Sequence, residues 1–244
     1  MYINNVHILY YVLFGIIGMI VGQFVDWCNK RLPAKKKVFT LEFFRELRIN
    51  YPLMIINAVI YILILYTYGI QKGFSNNINL YKFLILSPML LSAFCIDYKL
   101  YIIPNRLNLT IFEIGLLIAV IGGISDINFV MNALEGMLVG GGSFFIITLL
   151  GGLFAGKEAM GYGDVKFMAA LGLYFGFANM ISITFMSFIL GAIISLLLIM
   201  LKIKKTNEYI PFGPFIVIAC YISIFVPLNY LLLGVVKMFT LGKG

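Results

Sequence analysis

The strongest constraint in this sequence is a series of apolar runs, each about as long as the hydrocarbon layer of a bilayer is thick. They fall roughly at residues 8–28, 53–70, 80–98, 107–124, 130–154, 163–178, 180–201 and 212–236. A helix needs about 20 such residues to cross, and lipid accepts only segments whose backbone hydrogen bonds close internally. The chain is 62% hydrophobic and only 11% charged, too little polar surface to cover a soluble globule. The expected fold is an all-α polytopic membrane protein with about eight transmembrane helices. The sixth run is short and is joined to the seventh by almost nothing. The start, MYINNVHILYYVLFG, has no basic n-region and its apolar run continues too far for a cleaved signal peptide. Residues 8–28 therefore read as the first spanning helix.

Charge sets the orientation. Of the 18 lysines and arginines, 14 fall in the loops after the first, third, fifth and seventh runs. Those loops hold Lys30, Arg31, Lys35, Lys36, Lys37, Arg45 and Arg48, then Lys99 and Arg106, Lys157 and Lys166, and Lys202, Lys204 and Lys205. Only Lys72, Lys82, Lys237 and Lys243 lie on the other side. The positive-inside rule places these four loops in the cytoplasm and both termini outside. The net charge of +8 is then a topology signal and does not point to nucleic acid. The longest loop, residues 29–52, contains VFTLEFFRELRIN, with Phe39, Phe43, Phe44 and Leu47 on one face and Glu42, Arg45, Glu46 and Arg48 on the other. It reads as a short interfacial helix on the inner leaflet. Cys28, Cys95 and Cys220 are far apart and form no CxxC pair, so they read as small apolar packing residues.

An acid at membrane depth is expensive and is a functional hypothesis by default. Asp97 ends the third run, in SAFCIDYKLYIIPN, and Asp164 begins the sixth, in GKEAMGYGDVKFMAALG. Under the charge-derived topology both reach the cytoplasmic membrane edge. Two carboxylates at one depth that approach to roughly 3–4 Å cannot both ionise easily and share a proton. One then acts as base toward a water while the other protonates a scissile carbonyl, which is peptide hydrolysis without a metal or covalent intermediate. Gly161 and Gly163 let backbone pass close to a partner helix or substrate. Asp164 sits near a helix N-terminus, which favours the anion, so Asp164 reads as the base and Asp97 as the proton donor. Among the other acids, Asp26 reads as a helix-end acid paired with Lys30 or Arg31. Glu113 lies one or two turns into the fourth run and reads as buried unless it faces a cavity, with Arg106 or Asn108 as partner. Lys166 reads as a snorkelling residue or a contact to the dyad. The glycines between Gly136 and Gly156 form a small-residue helix suited to tight packing or to opening a substrate groove.

These motifs carry a resemblance. EAMGYGDVKFMAALG resembles the GxGD motif of the type IV prepilin peptidases, and IDYKLYIIPNRLNL resembles their first aspartate motif, with Pro104-Asn105 following the Asp. FGIIGMIVGQFVDWCNKRLP and IPFGPF resemble their first helix and last-helix entry. The resemblance implies a membrane aspartyl endopeptidase with Asp97 and Asp164 catalytic. It also assigns Gly161, Gly163, Glu158, Lys166, Pro104 and Asn105 as motif support or substrate contacts. Its substrate is a prepilin or pseudopilin with a short basic leader ending in Gly before an apolar helix, cut at the cytoplasmic face. The expected location is the bacterial cytoplasmic membrane, and lipid is the other partner. Proteolysis needs no cofactor. Many members also methylate the new N-terminus with S-adenosylmethionine. By the same resemblance, residues 1–79 hold the region linked to methyl transfer and residues 80–244 the peptidase core.

The chain departs from the family at three places. Bifunctional members carry two zinc-binding CxxC pairs in the first cytoplasmic loop, and residues 29–52 hold no Cys, which excludes a Cys-based zinc site there. The usual Ser-Phe-Leu-Asn is replaced by Gln23-Phe24-Val25-Asp26, and the usual Asp two residues after the first catalytic Asp is Lys99. Two alternatives stay open. A presenilin-like GxGD protease would carry Pro-Ala-Leu late in the chain, where Pro211-Phe212-Gly213-Pro214 stands here. A small proton- or cation-coupled transporter would place its acids nearer mid-membrane.

Overall fold

The computed structural model describes residues 2–4, 6–38, 40, 49–73, 75–155, 160–205 and 208–226. Among the described residues, a two-stranded antiparallel ribbon, β1 (Tyr2–Ile3) and β2 (Val6–His7), precedes seven α-helices and one short 3-10 turn (Ser75–Asn77). The α-helices are α1 (Ile8–Arg31), α2 (Tyr51–Tyr68), α3 (Ile78–Leu100), α4 (Asn105–Ser125), α5 (Ile127–Ala155), α6 (Tyr162–Met200) and α7 (Gly213–Phe225). Six of them, α1 to α6, are long and apolar enough to cross a membrane. The expected all-helical, multi-pass membrane architecture is therefore present. Residues 39 and 41–48, which hold most of the expected interfacial helix, and the end of the eighth run lie outside the described residues. The chain forms two compact units, Met1–Ile111 and Phe112–Gly244.

In the first unit, α1 and α2 pack through glycine. A methyl group on Gly18 would come within 2.7 Å of the Ala58 backbone, and one on Gly22 within 2.8 Å of Met54 Cα. Close approach of this kind replaces the hydrophobic drive that lipid cannot supply between helices. Buried Asn57 crosses the same seam and donates to the Gly18 carbonyl at 2.8 Å. Helix α2 begins on Asn50, whose Oδ1 accepts from Leu53 N at 3.4 Å, with Pro52 in the first turn. That is the arrangement a helix start favours, because proline has no N–H to leave unpaired there.

Helix α3 carries Pro88 in its interior. A proline there cannot donate to the carbonyl four residues back, which for Pro88 is Leu84 O. Tyr61 of α2, itself buried, donates its hydroxyl to that same Leu84 carbonyl at 3.0 Å. The acceptor freed by one helix is thus satisfied by a side chain of its neighbour.

In the second unit, α6 is not one rod. A straight helix from Tyr162 to Met200 would be about 58 Å long, nearly twice the hydrocarbon thickness. At Gly176 the backbone leaves the helix with φ 72° and ψ 178°. Contacts with α5 show that the chain turns back there. Gly136 packs on Gly172 and Gly140 on Met168, an antiparallel register. Beyond the break, Gly140 also meets Met180 and Phe144 meets Phe188, a parallel register. The sixth and seventh apolar runs are therefore two antiparallel legs joined at one glycine. Asn132 of α5 closes the joint: its Oδ1 accepts from Phe177 N at 2.9 Å, the first amide of the second leg.

Two outcomes follow for stability. Tyr61→Phe leaves the Leu84 carbonyl without a donor in a dry interior and should cost about 1 kcal/mol. Gly176→Ala puts a side chain at positive φ and directly against the Asn132 amide group, and should cost about 2 kcal/mol. Thermal unfolding midpoints of the purified protein in detergent measure both, and an unchanged midpoint in either variant would contradict the corresponding contact.

Candidate active site

Asp97 lies in the last turn of α3 and is 4% exposed. The helix ends just beyond it because Tyr101 adopts left-handed backbone (φ 58°) and its N–H returns to Asp97 O at 2.8 Å. Four residues later α4 begins. Pro104 O accepts from Leu107 N at 3.0 Å and from Asn108 N at 3.2 Å, so Pro104 serves as the start of that helix and Asn105 as its first residue. The first aspartate motif is thus a helix end, a tight loop and a helix start. Asp97 faces inward, while Lys99, Asn105 and Arg106 are exposed.

Arg106 does not act as the simple counter-ion that sequence spacing suggests. Its Nη1 donates to Lys35 O at 3.0 Å and Lys36 O at 3.2 Å. Arg31 Nη1 donates to Lys37 O at 2.8 Å, and Trp27 Nε1 to Val38 O at 2.8 Å. The Arg31 guanidinium also stacks 4.2 Å over the Trp27 ring. Four consecutive carbonyls at the exit of α1 are held this way, and one of the three side chains that hold them starts α4.

A polar cluster fills the same end of α1. Asp26 pairs with Lys30, as expected for a helix-end acid, and also accepts from Asn50 Nδ2 at 2.7 Å. Gln23 Oε1 accepts from Asn50 N at 3.0 Å, and Asn29 Oδ1 accepts from Ser92 Oγ at 2.6 Å. Ser92 is on α3, little more than one turn before Asp97.

Asp164 occupies the first turn of α6 and is 6% exposed. Gly161 is the cap residue, in extended backbone, and its carbonyl accepts from Asp164 N at 3.0 Å. The Asp164 carboxylate folds back over this cap: a methyl on Gly161 would lie 3.6 Å from Oδ2. Asp164 shares the buried face of α6 with Phe167, Met168 and Leu171, whereas Tyr162 and Lys166 are exposed and Gly163 is half-buried. Glu158 lies outside the described residues.

Sequence reasoning missed the aromatic setting of this helix start. Extending the α5–α6 register places Phe144 level with Asp164. Phe144, Phe188 and Phe212 form a ring cluster with centroids 5.2 to 5.8 Å apart, and Phe215 stacks edge-on at 5.8 Å. Gly191 admits the Phe212 ring. The turn Pro211-Phe212-Gly213-Pro214 is anchored by this cluster at the depth of Asp164. Only IPFGPF was visible beforehand, because Phe144 and Phe188 are far away in sequence. Glu113 is also corrected: it is exposed on α4, neither buried nor bonded to Arg106.

Residues 84–196 match the Type IV leader peptidase family, a segment that contains both aspartate motifs. A prepilin leader peptidase/N-methyltransferase of Aeromonas salmonicida is 34% identical over 142 residues, 58% of this chain and 47% of that one. One of Xanthomonas campestris is 28% identical over 184 residues, 74% of this chain and 60% of that one. One of Pseudomonas aeruginosa is 32% identical over 141 residues, 58% of this chain and 48% of that one. The resemblance read from the motifs is thus borne out. The chain spans about half the length of the curated relatives it matches (47% of the first). No solved structure matches.

The cap geometry makes one substitution informative. Gly161 has negative φ (−71°), and the 3.6 Å clearance is ordinary contact. Gly161→Ala should therefore fold and insert normally, at a stability cost of at most about 1 kcal/mol for the weaker cap. Membrane yield and unfolding midpoint test this; a variant that fails to fold would show that the glycine is needed for the backbone itself.

Proposed function

We propose that the chain is a membrane aspartyl endopeptidase that removes the leader of type IV prepilins or pseudopilins at the cytoplasmic face of the bacterial inner membrane. Asp97 and Asp164 are the two catalytic carboxylates in this reading. The observation that carries it is that each is a buried carboxylate held at the end of an apolar helix, in the two motifs that resemble the family's aspartate motifs. Both helix ends belong to the side on which the basic loops concentrate.

Their settings support distinct roles. Asp164 is in the first turn of α6, where the helix dipole stabilises negative charge, and Asp97 is in the last turn of α3, where it does not. Asp164 accepts a proton from the attacking water, and Asp97 donates one to the carbonyl oxygen of the scissile peptide. The tetrahedral intermediate collapses as the leaving amine takes up a proton. Residues 80–244 supply this peptidase core. A transporter reading has less support, because both acids lie at helix ends and not at mid-helix.

Methyl transfer has weaker support. S-adenosylmethionine, when bound, would supply a methyl group to the new terminal amine. Among the described residues of the region that the resemblance links to that step, polar groups at the end of α1 are engaged by one another: Asp26 by Lys30 and Asn50, Gln23 by Asn50, and Asn29 by Ser92. These residues do not fit a cofactor that must itself be hydrogen-bonded.

Co-expression with a prepilin, followed by mass measurement of the mature N-terminus, tests the whole reading. Asp97→Ala and Asp164→Ala should each lower cleavage more than about a thousandfold while the protein remains in the membrane. Cleavage at the wild-type rate in either variant rules out the dyad. A product heavier by one methyl group would show that methyl transfer survives.

A further inference from the structure

Asp97 sits where a helix holds itself least well. The last carbonyls of a helix have no partner within it, and helix ends open more readily than helix interiors. Asp97 begins the last turn of α3, which closes at Leu100, and yet it is buried. Two ties from α1 fasten the segment around it, one on each side.

The upstream tie is Asn29, in the last turn of α1. Its Oδ1 accepts from Ser92 Oγ at 2.6 Å, and the same side chain hydrogen-bonds Cys95. Ser92 and Cys95 are three residues apart and share one face of α3, so a single amide grips two successive turns. Ser92 is buried, where water competes little for the bond. Asp97 follows Cys95 by two residues, about 3 Å along the helix axis. The downstream tie is Arg106, in the first turn of α4, which donates to the Lys35 and Lys36 carbonyls. Those carbonyls belong to the exit of α1, and the next two, Lys37 O and Val38 O, are held by Arg31 and Trp27 of α1 itself. The stretch from Ser92 to Arg106 is thus anchored to α1 at both ends, and every residue involved lies in the first compact unit.

We propose that Asn29 is a positioning residue for Asp97, with Arg106 as its counterpart on the far side of the motif. The proposal rests on the reading of Asp97 as a catalytic carboxylate. A proton donor has to meet the scissile carbonyl at hydrogen-bond distance, and a misplacement of about 1 Å costs on the order of a hundredfold in rate. Asn29 touches no reacting atom and acts through α3. The cytoplasmic end of α1, which the resemblance links to methyl transfer, therefore also serves cleavage, and residues 80–244 depend on it.

Prepilin cleavage kinetics and hydrogen–deuterium exchange, both on the full chain in detergent, test this together. Asn29→Ala should lower kcat about a hundredfold, leave KM within about twofold, and speed exchange of the amides from Tyr98 to Tyr101. Ser92→Ala removes one of the two bonds and should lower kcat about tenfold with the same signature, and the double variant should be no worse than Asn29→Ala alone. Ser92→Ala decides the matter by the same readouts if Asn29→Ala does not fold. Asn57→Ala cuts a buried tie of the same kind between α1 and α2. It should lower the unfolding midpoint and leave both kcat and the exchange of Tyr98 to Tyr101 unchanged. Unchanged kcat and exchange in Asn29→Ala or Ser92→Ala, in a protein that Asp97→Ala inactivates, would overturn the positioning role. An equal loss of kcat in Asn57→Ala would overturn it in favour of general destabilisation. Wild-type cleavage by Asp97→Ala would instead overturn the reading of Asp97 on which the proposal rests.

Discussion

Lipid offers no hydrogen bonds, and most of this structure follows from that. The two helix interruptions among the described residues are each met by a side chain of a neighbouring helix. Pro88 frees the Leu84 carbonyl, and Tyr61 donates to it. Gly176 breaks the α6 ladder, and Asn132 accepts the stranded Phe177 amide. Asn57 adds a polar tie between α1 and α2 where glycines have brought the backbones together. Each repair links two helices, so satisfying the backbone and fixing the tertiary arrangement are one event.

The same economy is visible around the two carboxylates. Each is delivered to a helix end by local backbone chemistry, the left-handed Tyr101 for Asp97 and the extended Gly161 cap for Asp164. Neither position depends on a long loop. The aromatic cluster of Phe144, Phe188, Phe212 and Phe215 then anchors the turn that starts α7 at the depth of Asp164.

Much of this was legible from sequence, for identifiable reasons. The apolar runs and the helices agree closely from α1 to α6, because the length of a span is set by the thickness of the solvent it crosses. The near-absence of a joint between the sixth and seventh runs was also visible, and Gly176 explains it. The Asp26–Lys30 pair was readable because its partners are one turn apart. Partners distant in sequence were not readable. Asn50 reaching Asp26, Tyr61 reaching Leu84, and Phe144 meeting Phe188 all depend on which helices become neighbours. Glu113 was misread because a carboxylate in an apolar run was assumed to turn inward, whereas packing at Gly115 turns the other face of α4 inward.

The joint at Gly176 also bears on how the protein is made. The first leg of α6, from Tyr162 to Phe175, is only about 21 Å long, too short to hold a stable position across lipid by itself. Because one residue connects it to the second leg, the two can enter the bilayer only as a hairpin, emerging from the insertion machinery together. Asp164 is then carried to its final depth by a segment synthesised after it. Asp164 therefore cannot be seated until the chain beyond Gly176 has been made.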